Sequence, residues 1–226
     1  MIAVTFALPQ ESHDFIRALK NRQKVDGHVR GTLGAVEVCV VHIGVGPEMA
    51  ARQTKVFLLE NRPEWLLSTG FAGGLHTRLA VGALLAAENF SAPELLQKCK
   101  ALPSRLVFGK LTTHPTVVDS TAHKTRLAQE TGALAVDMET GAVAEACAAA
   151  GVPMLAIRVI SDAATDPLPV PMEKWFDLKQ QRPRPFALVG FLVTHPAAIA
   201  PFARFISGLG PARRNLTRLL LEIVRA

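Results

Sequence analysis

The chain has 226 residues, 49% apolar and 19% charged, with a formal net charge of +6 and no tyrosine. That length fits one domain, or one domain with an appendage, and the apolar share can bury a sizeable core, which excludes a disordered chain. Basic residues are not interleaved with the aromatics on which bases stack, so nucleic acid is not an expected partner.

Residues 2–7 read as a buried first strand rather than a signal peptide, since neither a basic n-region nor a small-residue cleavage site is present. A helical pattern covers 11–20, with Glu11 at its start in ALPQES. A strand over 35–42 leads to HIGVGPEMAA, where Pro47 suits the first position of a helix over 47–60. This Gly-x-Gly turn, with Gly44 its first glycine, favours contact with an anion or a ribose at a helix N-terminus. It is neither a P-loop nor a complete dinucleotide fingerprint. The strand 65–69 runs into STGFAGGL, whose glycines can bare N–H groups to an oxygen-rich ligand. A tight turn is the plainer account of the same residues.

A strand over 83–87 is followed by a helix over 122–131 and a strand over 133–137. A helix over 140–150 then ends at Gly151-Val152-Pro153, before a strand over 154–160. Continuous apolar strands alternating with helices predict an α/β, three-layer domain: a central, mostly parallel or mixed sheet flanked by helices. Sites in such sheets form where strands end, and Glu11, Glu139 and Asp162 all stand at strand ends. Each could instead cap a helix; three together point to a shared site.

Cys39, Cys99 and Cys147 form no CxxC pair; Cys39 and Cys147, in apolar runs, read as reduced core thiols, which suits a cytoplasmic protein. Residues 166–185 are proline-rich and irregular, a connector or lid. Residues 186–226 read as two helices broken at SGLGP, a helical extension packed on the 1–165 core. A membrane span over 186–206 is interrupted by His195, Pro196, Pro201 and Arg204. The histidines show no HxH or HExxH spacing, so no metal is expected.

In order and spacing, ALPQE, IGVG, STGFAGGL, VDMET and RVISDAA resemble the purine nucleoside phosphorylase and nucleosidase superfamily, nearest to the methylthioadenosine/S-adenosylhomocysteine nucleosidases. The resemblance covers roughly residues 1–165. It implies cleavage of the N-glycosidic bond of a purine nucleoside without a cofactor, phosphate being the one candidate co-substrate. It assigns Asp162, beside Ser161, as the general acid at purine N7, and Glu11 as the acid that positions the attacking water. It places Glu139 on the ribose hydroxyls, Met138 against the sugar, Phe71, Ala72 and Gly73 along the sugar and nucleophile pocket, and Val117 and Val118 near the base. It also implies a homo-oligomer.

Ser68 and Phe71 occupy positions where hexameric phosphorylases of this superfamily hold phosphate with Arg and Ser, which tilts toward water as the nucleophile. Phe71 departs from the hydrolases too, which commonly have Ser there. The C-terminal third resembles the hopanoid-associated branch, named phosphorylases, which act on adenosylhopane. That likeness implies an amphiphilic substrate and peripheral contact with an anionic membrane. The competing expectations are a small-nucleoside hydrolase, a non-catalytic nucleoside- or lipid-binding relative, and an unrelated flavodoxin-like module.

Overall fold

A computed structural model describes all residues, 1–226. The sheet is mixed. Strand β1 (Ile2–Phe6) pairs in parallel with β4 (Val36–His42) on one side and β5 (Leu66–Gly74) on the other, and β5 pairs in parallel with β10 (Met154–Asp162). These strands are buried on both faces, which is why they read as unbroken apolar runs.

Antiparallel pairings enter toward the edges. The hairpin of β2 (Lys20–Val25) and β3 (His28–Leu33) extends the sheet beyond β4, and β6 (Leu84–Ala87) runs antiparallel to β10. Beyond β6 lies β7 (Val107–Gly109). Short strands β8 (Leu111–Thr113) and β9 (Ala135–Asp137) attach to the far end of β5. The β2–β3 hairpin was not expected, because KNRQKV is an exposed, polar edge strand without an apolar face to betray it.

Helices cover both faces. On one, α1 (Pro9–Ala18) and α7 (Ile199–Arg225) pack on β1 and β10. Phe15, Leu216, Leu219, Leu220 and Ile223 are buried there with Val4, Phe6, Leu155, Ile157 and Val159. Each such side chain contributes about 1.5–3 kcal/mol. On the other face α2 (Pro47–Glu60) and α5 (Thr140–Ala150) set Ala50, Phe57, Val143 and Cys147 against Ala3, Val41, Leu66, Ala156 and Ile160. Gly151 ends α5 in the left-handed conformation. The remaining helices are α3 (Pro93–Lys100), α4 (Thr121–Thr131) and α6 (Pro185–Thr194). All three cysteines are buried free thiols.

Two expectations need correction. The glycine-rich stretch is not a loop after the strand but part of it: β5 continues to Gly74, and residues 70–72 are in register with Arg158, Val159 and Ile160. One side of its backbone is paired with β10, while on the other side β1 pairs only as far as Ser68 and β9 only from Gly73. The C-terminal helices break at His195–Pro196, not at SGLGP. Steric pressure from Pro196 keeps His195 out of the helical region (φ −130°, ψ 65°), and the chain bends by 112°. Helix α7 then runs unbroken through Gly208, Gly210 and Pro211, and the residues after the proline, from Ala212 to Val224, hold one face to the sheet.

The pairing of β10 with β5 skips one residue: Ile160 faces Ala72 and Asp162 faces Gly73, leaving Ser161 bulged. The strand thus reaches the end of the sheet with its acid turned by an extra residue.

Candidate active site

The C-terminal ends of β1, β4, β5, β9 and β10 open onto one cavity of about 200 Å³. Its wall includes Glu11, Phe71, Ala72, Gly73, Val117, Val118, Met138, Glu139, Ser161 and Asp162. All the residues singled out from sequence meet there except Gly44. Gly44 adopts a positive φ of 78°, and a Cβ there would lie 2.7 Å from Met49 Cγ. It shapes the turn behind the wall, while Val45 reaches the cavity.

Glu11 stands in the first turn of α1, and its Oε2 accepts the backbone N–H groups of Ala7 (3.0 Å) and Leu8 (3.3 Å). Burial outweighs these bonds and the Arg158 charge, raising its pKa to about 7. Glu139 caps α5, but its side chain turns away from its own helix: Oε1 accepts Gly46 N–H at 2.7 Å. The N-terminus of α2 is therefore already capped by a side chain of the protein itself. Burial first, then the neighbouring Asp137 charge, push Glu139 up to about 8.

Asp162 is buried, 7% exposed. Ser161 Oγ donates to its Oδ1 at 2.5 Å, and its Oδ2 pairs with the ammonium of Lys124 on α4. No helix follows Asp162, so a capping role is excluded. The glycines of β5 give these acids room: a Cβ on Gly70 would lie 3.5 Å from Glu11 Oε2, and one on Gly73 3.1 Å from Asp162 Oδ2.

Under the cavity, Arg158 forms a buried network with Asp137 Oδ2 (2.8 Å), Ser68 Oγ (3.0 Å), Ser68 O (2.8 Å) and Thr140 Oγ1 (2.6 Å). A lone arginine inside MLAIRVISD was a readable sign of such pairing, since a charge on a strand buried on both faces needs partners. Lys124 had no such sign: in TAHKTRLAQE it looks like any solvated helix lysine. The connector adds Leu168, Met172 and Trp175 to the wall and α7 adds Phe205 and Leu209, apolar residues that no local pattern marks. Gln181 clasps the Val45 peptide, accepting its N–H (2.7 Å) and donating to its carbonyl (2.9 Å).

No lysine, arginine or histidine lines the cavity. No group of three or more His, Cys, Asp or Glu is placed to hold a metal ion. What the cavity offers is carboxyl chemistry in an apolar enclosure, from Glu11, Glu139 and Asp162, with a fourth acid of the wall, Asp137, already paired with Arg158. Charges developing on a ligand act there at short range and low dielectric.

The sequence pattern of the phosphorylase superfamily matches residues 1–92 and 87–189. A 5′-methylthioadenosine/S-adenosylhomocysteine nucleosidase of Staphylococcus epidermidis is 25% identical over 215 residues, covering 78% of this chain and 92% of that protein. Among solved structures, the 5′-methylthioadenosine/S-adenosylhomocysteine nucleosidase of S. pneumoniae with a transition-state inhibitor superposes with a TM-score of 0.74. It is 23% identical and covers 100% of this chain and 98% of that one. A futalosine hydrolase of Helicobacter pylori superposes at 0.70, with 20% identity over 98% of this chain and 97% of the other.

Proposed function

The chain belongs to the phosphorylase superfamily, and on that premise we propose that it cleaves the N-glycosidic bond of an adenosyl-type purine nucleoside with water as the nucleophile. The convergence of Glu11, Glu139 and Asp162 on one cavity without a basic side chain carries this reading. As C1′–N9 breaks, its electron pair goes to the purine and positive charge grows on the sugar. Asp162, protonated before the step, gives its proton to N7 and regains one from solvent after the base leaves. The carboxylate of Glu11 favours the cationic sugar, takes the proton that water loses on bonding to C1′ and returns it to solvent, while Glu139 holds the ribose hydroxyls. A phosphate dianion would meet Glu11 and no lining cation, which opposes phosphorolysis. The relatives named as nucleosidases support the same chemistry.

The test is release of free adenine from methylthioadenosine, S-adenosylhomocysteine and adenosine in phosphate-free buffer. Release without phosphate is the expected result; strict dependence on phosphate overturns the hydrolytic part, and no release with or without phosphate overturns the whole.

One observation favours a second reading of the substrate. Helix α6 exposes Phe186 (92%), Val189 and Val193 to solvent, and no acid occurs between Asp177 and Glu222 while seven Lys and Arg do. No single helix is long and apolar enough to cross a membrane. An apolar ridge framed by arginines instead fits the surface of an anionic bilayer, from which a 5′-lipid nucleoside of the adenosylhopane kind would be drawn. Turnover of adenosylhopane on anionic vesicles, at a kcat/KM above that for methylthioadenosine, is its expected signature; the reverse preference removes it.

A further inference from the structure

Resting on the reading above, we propose that Lys124 is a positioning residue for departure of the base, acting through Asp162. Lys124 is fully buried, a state an ammonium holds only with partners for its charge and its hydrogens. It has three acceptors: Asp162 Oδ2, the carbonyl of Ala163 at 2.7 Å and that of Asp166 at 2.8 Å. The first fixes the acid, while the other two fix the chain that leaves β10.

The remaining geometry gives this arrangement a direction. Ser161 Oγ holds the other oxygen of Asp162, so the carboxyl is restrained from both sides and its rotation is stopped. Leu168, which follows the clamped loop and lines the cavity, donates its N–H to Asp119 O at 2.8 Å, just before α4 begins. Helix α4 is thus tied to the 163–168 segment at two levels. Lys124 itself does not line the cavity; whatever it does to a ligand, it does through Asp162.

The other charged groups of the site stand on different elements: Glu11 on α1, Glu139 at the head of α5, and the Asp137–Arg158 pair on β9 and β10. Loss of Lys124 therefore falls on the bond-breaking side and spares the sugar side. A lysine that merely balanced a buried acid would affect all substrates alike. A lysine that aims the acid matters only where the leaving group needs a proton.

The experiment compares Lys124→Met with wild type on an adenosine-type nucleoside, whose base leaves with a proton, and on nitrophenyl riboside, whose phenolate leaves without one. The expected result is a kcat about a hundredfold lower on the nucleoside, the low end of what a positioned acid contributes. KM on the nucleoside and turnover of the nitrophenyl substrate stay within about threefold. Equal losses on both substrates, or none on the nucleoside, overturn the proposal. If Lys124→Met does not fold, Lys124→Gln, which keeps a donor to Asp162 without the charge, is the second variant: a nucleoside kcat lowered about tenfold with the nitrophenyl substrate unchanged is expected, and equal losses on both substrates overturn the proposal. A wild type that cleaves neither substrate removes the proposed function instead, and this proposal with it.

Discussion

Glu139 Oε1 and the backbone N–H of Gly46 lie 2.7 Å apart, so the residue that opens one helix also closes the turn at the head of another. Truncation should be felt in both places. Glu139→Ala strands the Gly46 N–H beside the cavity, at a cost of about 1–3 kcal/mol. Glu139→Gln keeps an acceptor and should unfold near the wild-type urea midpoint at pH 7. Both should raise KM for a nucleoside by about tenfold or more, the worth of a hydrogen bond to the ribose. Unchanged KM in both variants would separate Glu139 from the sugar.

Buried carboxyls leave a mark on stability against pH. The pKa values of Glu11 and Glu139 are raised, to about 7 and about 8, from an ordinary 4.5. The folded state then binds more protons than the unfolded state between those values. Their contribution to stability is present in full below pH 4.5 and is lost as pH rises through 7 and 8. Urea unfolding should show stability falling between pH 5 and pH 9, by up to about 1.4 kcal/mol per pH unit for each group and about 2.7 where the folded state alone holds both protons. Glu11→Gln with Glu139→Gln should flatten that slope. A wild-type slope of opposite sign contradicts the burial argument.

Activity should follow the ionisation of Glu11. If Glu11 takes the proton from water, kcat/KM rises with pH through about 7. Glu11→Gln keeps an acceptor for the Ala7 and Leu8 N–H groups, so the start of α1 survives, but turnover should drop by about 10² to 10⁴. Steady-state rates from pH 5 to 9 on both proteins decide this, and a Gln variant within tenfold of wild type would release Glu11 from that role.

Asp162→Asn keeps an acceptor for Lys124 or Ser161 but removes the partner of a buried ammonium, so it should cost about 3–5 kcal/mol of stability and remove most of kcat on a purine nucleoside. A loss of about a hundredfold or more is expected, with near-native circular dichroism. Near-normal turnover would end its assignment to the base.

Exposed α6 invites a direct measurement. Co-sedimentation with anionic vesicles should be strong for wild type and lost in Phe186→Asp with Val193→Asp, while neutral vesicles capture neither. Because both side chains are exposed, the substitutions should leave the urea midpoint within about 0.5 kcal/mol of wild type. Equal binding of both proteins to vesicles rules out the ridge as the contact.

Much of the architecture could be read from the chain, for identifiable reasons. Strands such as Val36–His42 and helices such as Pro47–Glu60 are long, apolar on the right period and closed by proline or glycine, so their ends fell within about two residues of those expected. The β2–β3 hairpin and α3 escaped because an exposed polar edge and an eight-residue helix carry little periodicity. Helix α7 was split wrongly because local glycine and proline preferences were outweighed by burial of Leu216, Leu219 and Ile223. At the cavity, the acids stood out as charges at strand ends. Lys124 did not, since its partner lies 38 positions away and nothing near it in sequence records the pairing.

The skipped residue in β10 has a consequence for how this protein can vary. Side chains of a strand alternate in direction, so removing one residue ahead of Ser161 would put the hydroxyl where Ile160 now meets the core and Asp162 in the bulged position. Every amino acid needed for the reaction would still be encoded, in the same order. Tolerance to substitution along this strand should therefore far exceed tolerance to a single-codon deletion, a difference that a library scanning both kinds of change would expose.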